Sequence, residues 1–264
     1  MPMKLLTKFT FIFISIICHF AHANNTSIWP NNARAAISLS YDDGLSSQLD
    51  NALPALDKYQ LKGTFYIVAN AQAVRERLSE WRNVAKNGHE LGNHTLFHPC
   101  DGDKPNRGWV QPHNNLQTKT IKEQVEEVQL ANTFLEAIDG ERIRTFTTPC
   151  FDHFVSKQNY LPFITDMFIG IKTHANAMPK TMAQFNVKSA AVFAPDNHSG
   201  EELIAVAKQA ASNGTIANFT FHGIGGDHLS VTTQAHNALL KYLSDNKDIY
   251  WVDTYRNISL YLTR

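Results

Sequence analysis

From residue 33 onward the chain alternates short apolar runs with longer amphipathic ones, and that alternation constrains the fold more than any other feature of the sequence. Two parallel strands need a crossover between them, and a helix is the usual one, so the pattern reads as a parallel sheet with crossover helices. Strands are expected at Ala35–Tyr41, Thr64–Val68, Glu90–His94, Arg144–Thr148, Met167–Ile171, Val187–Phe193, Ile216–Phe221 and Ile249–Val252. Helices are expected at Leu49–Tyr59, Val74–Lys86, Thr120–Ile138, Glu201–Ser212, Thr232–Ser244 and Tyr255–Leu262. Gly88, Gly140 and Gly214 stand where helix C-caps belong. Residues 99–118 carry Asp, Gly, Pro and Asn without periodicity and read as a long loop. No linker, repeat or low-complexity segment interrupts the series.

The polar residues capable of chemistry gather at the C-terminal ends of these strands: Asp42 and Asp43, His94 and His98, Pro149, and His222. In parallel α/β barrels that end is where active sites are built. Four separate strands delivering such residues to one rim say more than any one of them alone.

Composition narrows the partners. Among 264 residues, 24 Lys and Arg cancel 24 Asp and Glu, so nothing favours nucleic acid or an anionic membrane surface. Residues 1–23 have the pattern of a cleavable export signal. Lys4 and Lys8 precede the apolar run Phe9–Phe20, and Ala21-His22-Ala23 offers a small-residue cleavage site. The run is shorter than the roughly 20 residues that span a bilayer, and no membrane insertion of the mature chain, residues 24–264, is expected. The expected location is secreted or periplasmic. Cys18 leaves with the signal, and Cys100 and Cys150 remain, each directly after a proline. In an oxidising compartment they form either a disulfide or two buried thiols. A closed loop of that span stabilises by about 4 kcal/mol on the chain-entropy account.

His94 and His98, four residues apart, would meet on one face of a helical turn and could bind one cation. A carboxylate from the Asp42-Asp43-Gly44 strand end would complete a three-ligand set with an open position. A lone Asp-Asp-Gly is more often a turn pair capping the next helix. Beside the histidine pair it offers one carboxylate for a metal and a second, unbound, for general base work. His222 ends another strand; its plain alternative is an imidazole bonded to a loop carbonyl. Gly223-Ile224-Gly225-Gly226 follows it without a Walker lysine or dinucleotide pattern, which argues against phosphate binding.

Three motifs then resemble those of the polysaccharide deacetylases, the family 4 carbohydrate esterases. Ser40-Tyr41-Asp42-Asp43-Gly44 is similar to the family's Thr-Phe-Asp-Asp-Gly, His94-Thr95-Leu96-Phe97-His98 to its His-Ser/Thr-x-x-His, and Phe219-Thr220-Phe221-His222 to its last apolar strand ending in His. The resemblance runs from about Ala33 to the end, in the family's order. It implies that Asp43, His94 and His98 bind a divalent metal, usually zinc, that Asp42 is the general base, and that His222 is the general acid. The third motif, Arg-Pro-Pro-Tyr-Gly, aligns on Thr147-Thr148-Pro149-Cys150-Phe151, so Thr147 replaces the arginine that pairs with the base. Arg144 is the nearest substitute in sequence. The Cys150 N–H would keep the oxyanion role of the motif's tyrosine N–H. The fourth motif, Asp-x-x-Asp-Trp, is missing, which leaves Asp227, His228 and His174 as candidates to support His222. Trp109 and Phe97 could line the cleft against sugar rings.

The expectation is one distorted (β/α) barrel of about seven parallel strands, acting on an acetylated polysaccharide or oligosaccharide and most readily on N-acetyl groups. O-acetyl ester hydrolysis, as in acetylxylan esterases, is the rival reaction. A catalytically silent carbohydrate-binding relative is the rival of another class.

Overall fold

A computed structural model describes residues 27–175 and 178–264. The expected export signal and Cys18 lie outside the described residues. Ten strands are present among the described residues: β1 Ala35–Asp42, β2 Thr64–Ile67, β3 Glu90–Asn93, β4 Thr145–Thr147, β5 Phe154–Val155, β6 Gln158–Asn159, β7 Gly170–Ala175, β8 Ala190–Val192, β9 Ile216–Phe221 and β10 Tyr250–Asp253. β5 and β6 make a small antiparallel hairpin apart from the main sheet.

The strands β1-β2-β3-β4-β7-β8 are parallel neighbours in that order, and β9 joins the far side of β1 over Ala36–Tyr41. Phe193, just past β8, bridges to Phe219 of β9. Its N–H donates to Asn218 O at 2.8 Å, and its carbonyl accepts from Thr220 N–H at 2.9 Å. Seven parallel strands thus make a nearly closed barrel, the fold class expected. β10 is an eighth: it pairs with the first half of β1, Ala35–Ser38, while β2 takes the second half, Ser40–Asp42. This sharing of one side of β1 is the distortion of the barrel.

All eight residues of β1 are buried, and the two-residue period sorts them. Ile37, Leu39 and Tyr41 enter the main apolar cluster under the helices. Ser38 and Ser40 point into the barrel, where both accept from Lys172 Nζ. The lumen is polar and the apolar core lies between strands and helices. At Gly92 of β3 a Cβ would run into the Tyr66 ring, so only glycine lets that ring cross the lumen.

The helices are α1 Leu53–Tyr59, α2 Gln72–Glu76, α3 Leu78–Lys86, α4 Ile121–Asp139, α5 Leu161–Ile164, α6 Gly200–Asn213, α7 Thr233–Asp245 and α8 Tyr255–Leu262. Capping boxes start α4 (Thr120 with Glu123) and α6 (Ser199 with Glu202), and Gly140 and Gly214 end them in the left-handed conformation. Two expected helices are divided. Residues 48–52 form a π-turn before α1, where Pro54 has no N–H to give the preceding turn. The expected helix over 74–86 breaks at Arg77, whose guanidinium binds Asp50 and Glu80.

The expected strand Met167–Ile171 is also displaced. Residues 165–167 are a 3-10 turn, Phe168 packs with Phe146 and Ile171 in a second apolar cluster, and β7 runs on to Ala175. Lys172, which ends the apolar run in the sequence, is therefore inside the strand and fully buried. α8 closes the lower mouth of the barrel. Tyr255 N–H donates to Thr64 Oγ1 at 2.8 Å, and Arg256 N–H to Glu90 Oε2 at 2.9 Å. No helix among the described residues is long and apolar enough to cross a membrane.

Candidate functional site

At the C-terminal mouth of the barrel, Asp42, Asp43, His94, His98 and His222 line one cleft of about 820 Å³. Asp42 is the last residue of β1, and the turn that follows puts Asp43 at φ 80°. Because the two carboxylates belong to differently directed backbone, Asp42 stays on the lumen side and Asp43 reaches over the rim. Gln48 Nε2 ties the two main strand ends together, donating to Asp42 O at 2.5 Å and to His222 O at 3.2 Å.

The second segment is not the helical turn expected from the spacing of its histidines. Residues 94–98 form an irregular bend, with Thr95 at φ 68° and His98 at φ 56°. Side chains hold it. Asn93 Oδ1 accepts from Thr95 N–H at 2.8 Å, Thr95 Oγ1 accepts from His98 N–H at 2.9 Å, and Glu127 of α4 accepts from Phe97 N–H at 3.0 Å. Asn93 Nδ2 is anchored in turn on Val128 O and Asn132 Oδ1 of α4. Non-glycine residues at positive φ cost energy and persist where surrounding contacts over-determine them. Five of them, Asp43, His98, Cys150, Phe151 and Leu229, line this cleft.

The outcome is convergence. Asp43 Oδ1 lies 3.3 Å from His94 Nε2 and 3.3 Å from His98 Nε2. One ligand atom from each of the three residues falls within 4.8 Å of the others. Ligands at about 2.0–2.1 Å from a tetrahedral ion stand about 3.3–3.4 Å apart, so these edges suit a small divalent cation. Asp43 Oδ1 is buried and has no hydrogen-bond partner among the described residues. A buried carboxylate oxygen left so between two imidazole nitrogens fits a metal-ligand role. His94 Nδ1–H donates to Thr147 O at 2.9 Å, which fixes the tautomer and leaves Nε2 free to ligate. Cys100 and Cys150 are joined by a disulfide, Cα atoms 5.8 Å apart, and Cys100 Sγ lies 3.5 Å from His98 Nδ1. The disulfide pins the His98 segment to the turn after β4 and takes both sulfurs out of contention as ligands.

Burial would raise the Asp43 carboxyl, but the hydrogen bond with His228 and the neighbouring His94 and His98 hold it well below the ordinary range. Asp42 is pushed up by burial, against the pull of His94 and His222. Burial drives His98 down to about 4, which favours the neutral, ligating imidazole. Burial would lower His94 too, but Asp42 and Asp43 outweigh it and raise it.

The other expected residues divide. Cys150 and Trp109 line the cleft, Trp109 at 56% exposure with the Arg107 guanidinium 5.7 Å from its ring centre. Pro149 is buried beneath the turn and Phe97 points elsewhere; neither lines the cleft. Arg144 does not stand in for the missing arginine. It lies at the far end of β4, bound to Asp139, Leu91 O and Glu141 O. None of the candidates for supporting His222 hydrogen-bonds its ring. Asp227 accepts from Ser47 N–H, His174 contacts Thr173 Oγ1, and His228 Nε2 lies 2.8 Å from Asp43 Oδ2.

Arg107 and Lys172 are among the cleft-forming or supporting residues that escaped the sequence reading. Arg107 sits in an aperiodic loop with nothing to distinguish it. Lys172 carried a signal, a single lysine directly after an apolar run: it is the register partner of Thr147 and fills the lumen below Asp42.

Known proteins share part of the sequence pattern and the fold. The profile of the family described as polysaccharide deacetylase matches residues 30–157. The uncharacterized protein YlxY of Bacillus subtilis (strain 168) is 37% identical over 101 residues, 38% of this chain and 26% of that protein, so the match spans about a quarter of the relative. Among solved structures, peptidoglycan deacetylase PdaC from Bacillus subtilis superposes with a TM-score of 0.53 at 18% identity, covering 86% of this chain and 91% of that one. The Xyl-CE4 domain of a multidomain xylanase from the hindgut metagenome of Trinervitermes trinervoides gives 0.53 at 18%, covering 88% and 90%. BA3943, a CE4 family pseudoenzyme from Bacillus anthracis, gives 0.54 at 16%, covering 87% and 66%. At such identities the superpositions speak for the fold alone. Residues 30–157 thus carry a polysaccharide deacetylase domain by sequence pattern, and the described chain has the fold of solved polysaccharide deacetylases.

Proposed function

We propose that this chain is an exported, zinc-dependent deacetylase that hydrolyses N-acetyl groups of an amino-sugar polymer or oligomer. The observation that carries the reading is the convergence of Asp43, His94 and His98 around an orphaned carboxylate oxygen, with Asp42 and His222 in the same cleft. Asp43, His94 and His98 hold the metal. The bound cation supplies Lewis-acid polarisation of the acyl oxygen and eases deprotonation of water. Asp42, a carboxylate outside the ligand set, accepts the proton of the attacking water. His222 delivers a proton to the sugar nitrogen as the C–N bond breaks, since an amine leaves poorly unprotonated. The Cys150 N–H, at the turn after β4, is the main-chain donor assigned to the developing oxyanion. Trp109 offers its exposed face to a sugar ring.

Ester hydrolysis is the second reading. Among the described residues no carboxylate hydrogen-bonds the His222 ring, and an alkoxide asks less of its acid than an amine does. Acetate release from N-acetylated chito-oligomers and from acetylated xylan, each with zinc added, tests the proposal. Release from the first supports amide hydrolysis, and release only from the second replaces it with the ester reading. Glycan binding without acetate from either substrate makes the chain a silent relative.

A further inference from the structure

Two carboxylates are buried along the barrel axis, Asp42 at the upper mouth and Glu90 at the lower, and neither can stay charged without compensation. Glu90 is fully supplied. Oε1 accepts from Thr145 N–H (3.0 Å) and Thr145 Oγ1 (2.7 Å), and Oε2 accepts from Thr64 Oγ1 (2.9 Å) and Arg256 N–H (2.9 Å). Asp42 is not: its Oδ1 has no hydrogen-bond partner among the described residues, and its Oδ2 lies 3.9 Å from His94 Nε2. An imidazole that ligates a metal is neutral and gives Asp42 no full counter-charge.

The lumen holds one lysine that the proposed reaction leaves unused. Lys172 is fully buried, extends from β7, and donates to Ser40 Oγ at 2.7 Å and Ser38 Oγ at 3.1 Å. Its ammonium also lies over the Tyr255 ring, 4.7 Å from the centre. Ser38, Ser40 and Asp42 are successive inward-facing positions of β1, so Asp42 is the next side chain up from Ser40, about 6.6 Å along the strand. The Tyr66 ring shares this part of the lumen, its centre 5.5 Å from the ammonium, and a buried medium of low dielectric transmits the charge's field to the carboxylate. Burial drives Lys172 down to about 7, opposed by Asp42 and then Glu90.

We propose that Lys172 is the buried positive charge against which Asp42 is set, a positioning residue that holds the carboxylate from inside the barrel. The inference rests on the reading of Asp42 as the working base and adds what keeps it in place. The cation comes from β7 because Thr147, its register partner on β4, carries none.

The test has a stability arm and a kinetic arm, both in zinc-loaded protein. Removing one member of a buried charge pair is costly, whereas removing both is close to neutral. Lys172→Met is expected to lower Tm by about 6–15 °C, and adding Asp42→Asn to regain at least about half of that loss. If Lys172→Met does not fold, the double variant still must. Recovery by Glu90→Gln in place of Asp42→Asn, or no recovery by Asp42→Asn, overturns the proposal. In the kinetic arm Lys172→Met is expected to lose about tenfold or more in kcat with KM within about twofold, and Lys172→Arg to retain most of the rate. Equal loss in both variants, or a loss confined to KM, also overturns it. A wild-type protein that releases no acetate from any substrate ends the deacetylase reading, and the stability arm still decides whether Lys172 serves Asp42.

Discussion

Nε2 of His228 lies 2.8 Å from Oδ2 of Asp43, while Oδ1 of the same carboxylate faces His94 and His98. The exposed loop after β9 therefore steers a residue at the end of β1. The loop is itself tied down, with Ser47 N–H donating to Asp227 and Ile224 N–H to Ser47 Oγ. Partners of metal-binding groups usually matter by about 10–100-fold in affinity. His228→Ala is expected to weaken zinc binding about tenfold, whereas Asp43→Ala or His94→Ala abolishes it. Competition titration against a chromophoric chelator reads both.

Asp42 lies outside the three-ligand set but within the cleft. Asp42→Asn is expected to keep zinc affinity within about threefold and to lose about 10²–10⁴ in turnover, the range a general base contributes. Full turnover in this variant would remove Asp42 from the reaction. Metal content by atomic emission beside acetate release separates the two effects.

The Cys100–Cys150 disulfide closes a loop with a sequence separation of 50 and touches His98. Replacing both cysteines by serine is expected to cost up to about 4 kcal/mol in urea denaturation. It also frees the His98 segment, so zinc affinity should fall together with stability. Unchanged affinity in a destabilised variant would leave the disulfide a fold element alone.

His236 is buried against Tyr41 and Phe221, and burial takes it down to about 3; burial, aided by Lys62, takes His89 to about 4. The unfolded chain protonates both near 6.5, the folded chain only well below. Their contribution is complete above about pH 6.5 and is lost as pH falls toward those values, at most about 1.4 kcal/mol per group per pH unit. His236→Gln cannot take the charge and should flatten the acid limb of stability measured by urea denaturation from pH 7 to 4.

Much of this was legible along the chain because parallel β/α folds carry a strong local signal. Ile216–Phe221 and Tyr255–Leu262 begin and end in the structure where patterning placed them. Where the readings failed, a tertiary contact outvoted the local pattern. The split at Arg77 follows its ion pairs, and the late start of β7 follows the packing of Phe168 in a separate cluster. Helical spacing suggested a turn for His94 and His98, yet bonds from Asn93, Thr95 and Glu127 impose a bend that brings the rings together another way.

By itself the sequence determined the alternation of strands and helices, the rim on which Asp42, Asp43, His94, His98 and His222 gather, and the family they resemble, because all of these follow from short-range periodicity and motif order. Only the tertiary structure decided which oxygen of Asp43 meets the imidazoles, that His228 takes the other, that Arg144 is turned to the opposite end of the barrel, and that Lys172 fills its interior. Those outcomes depend on strand register and on burial, since a charge inside the barrel has to find its partner there, and neither can be read from neighbours in the chain.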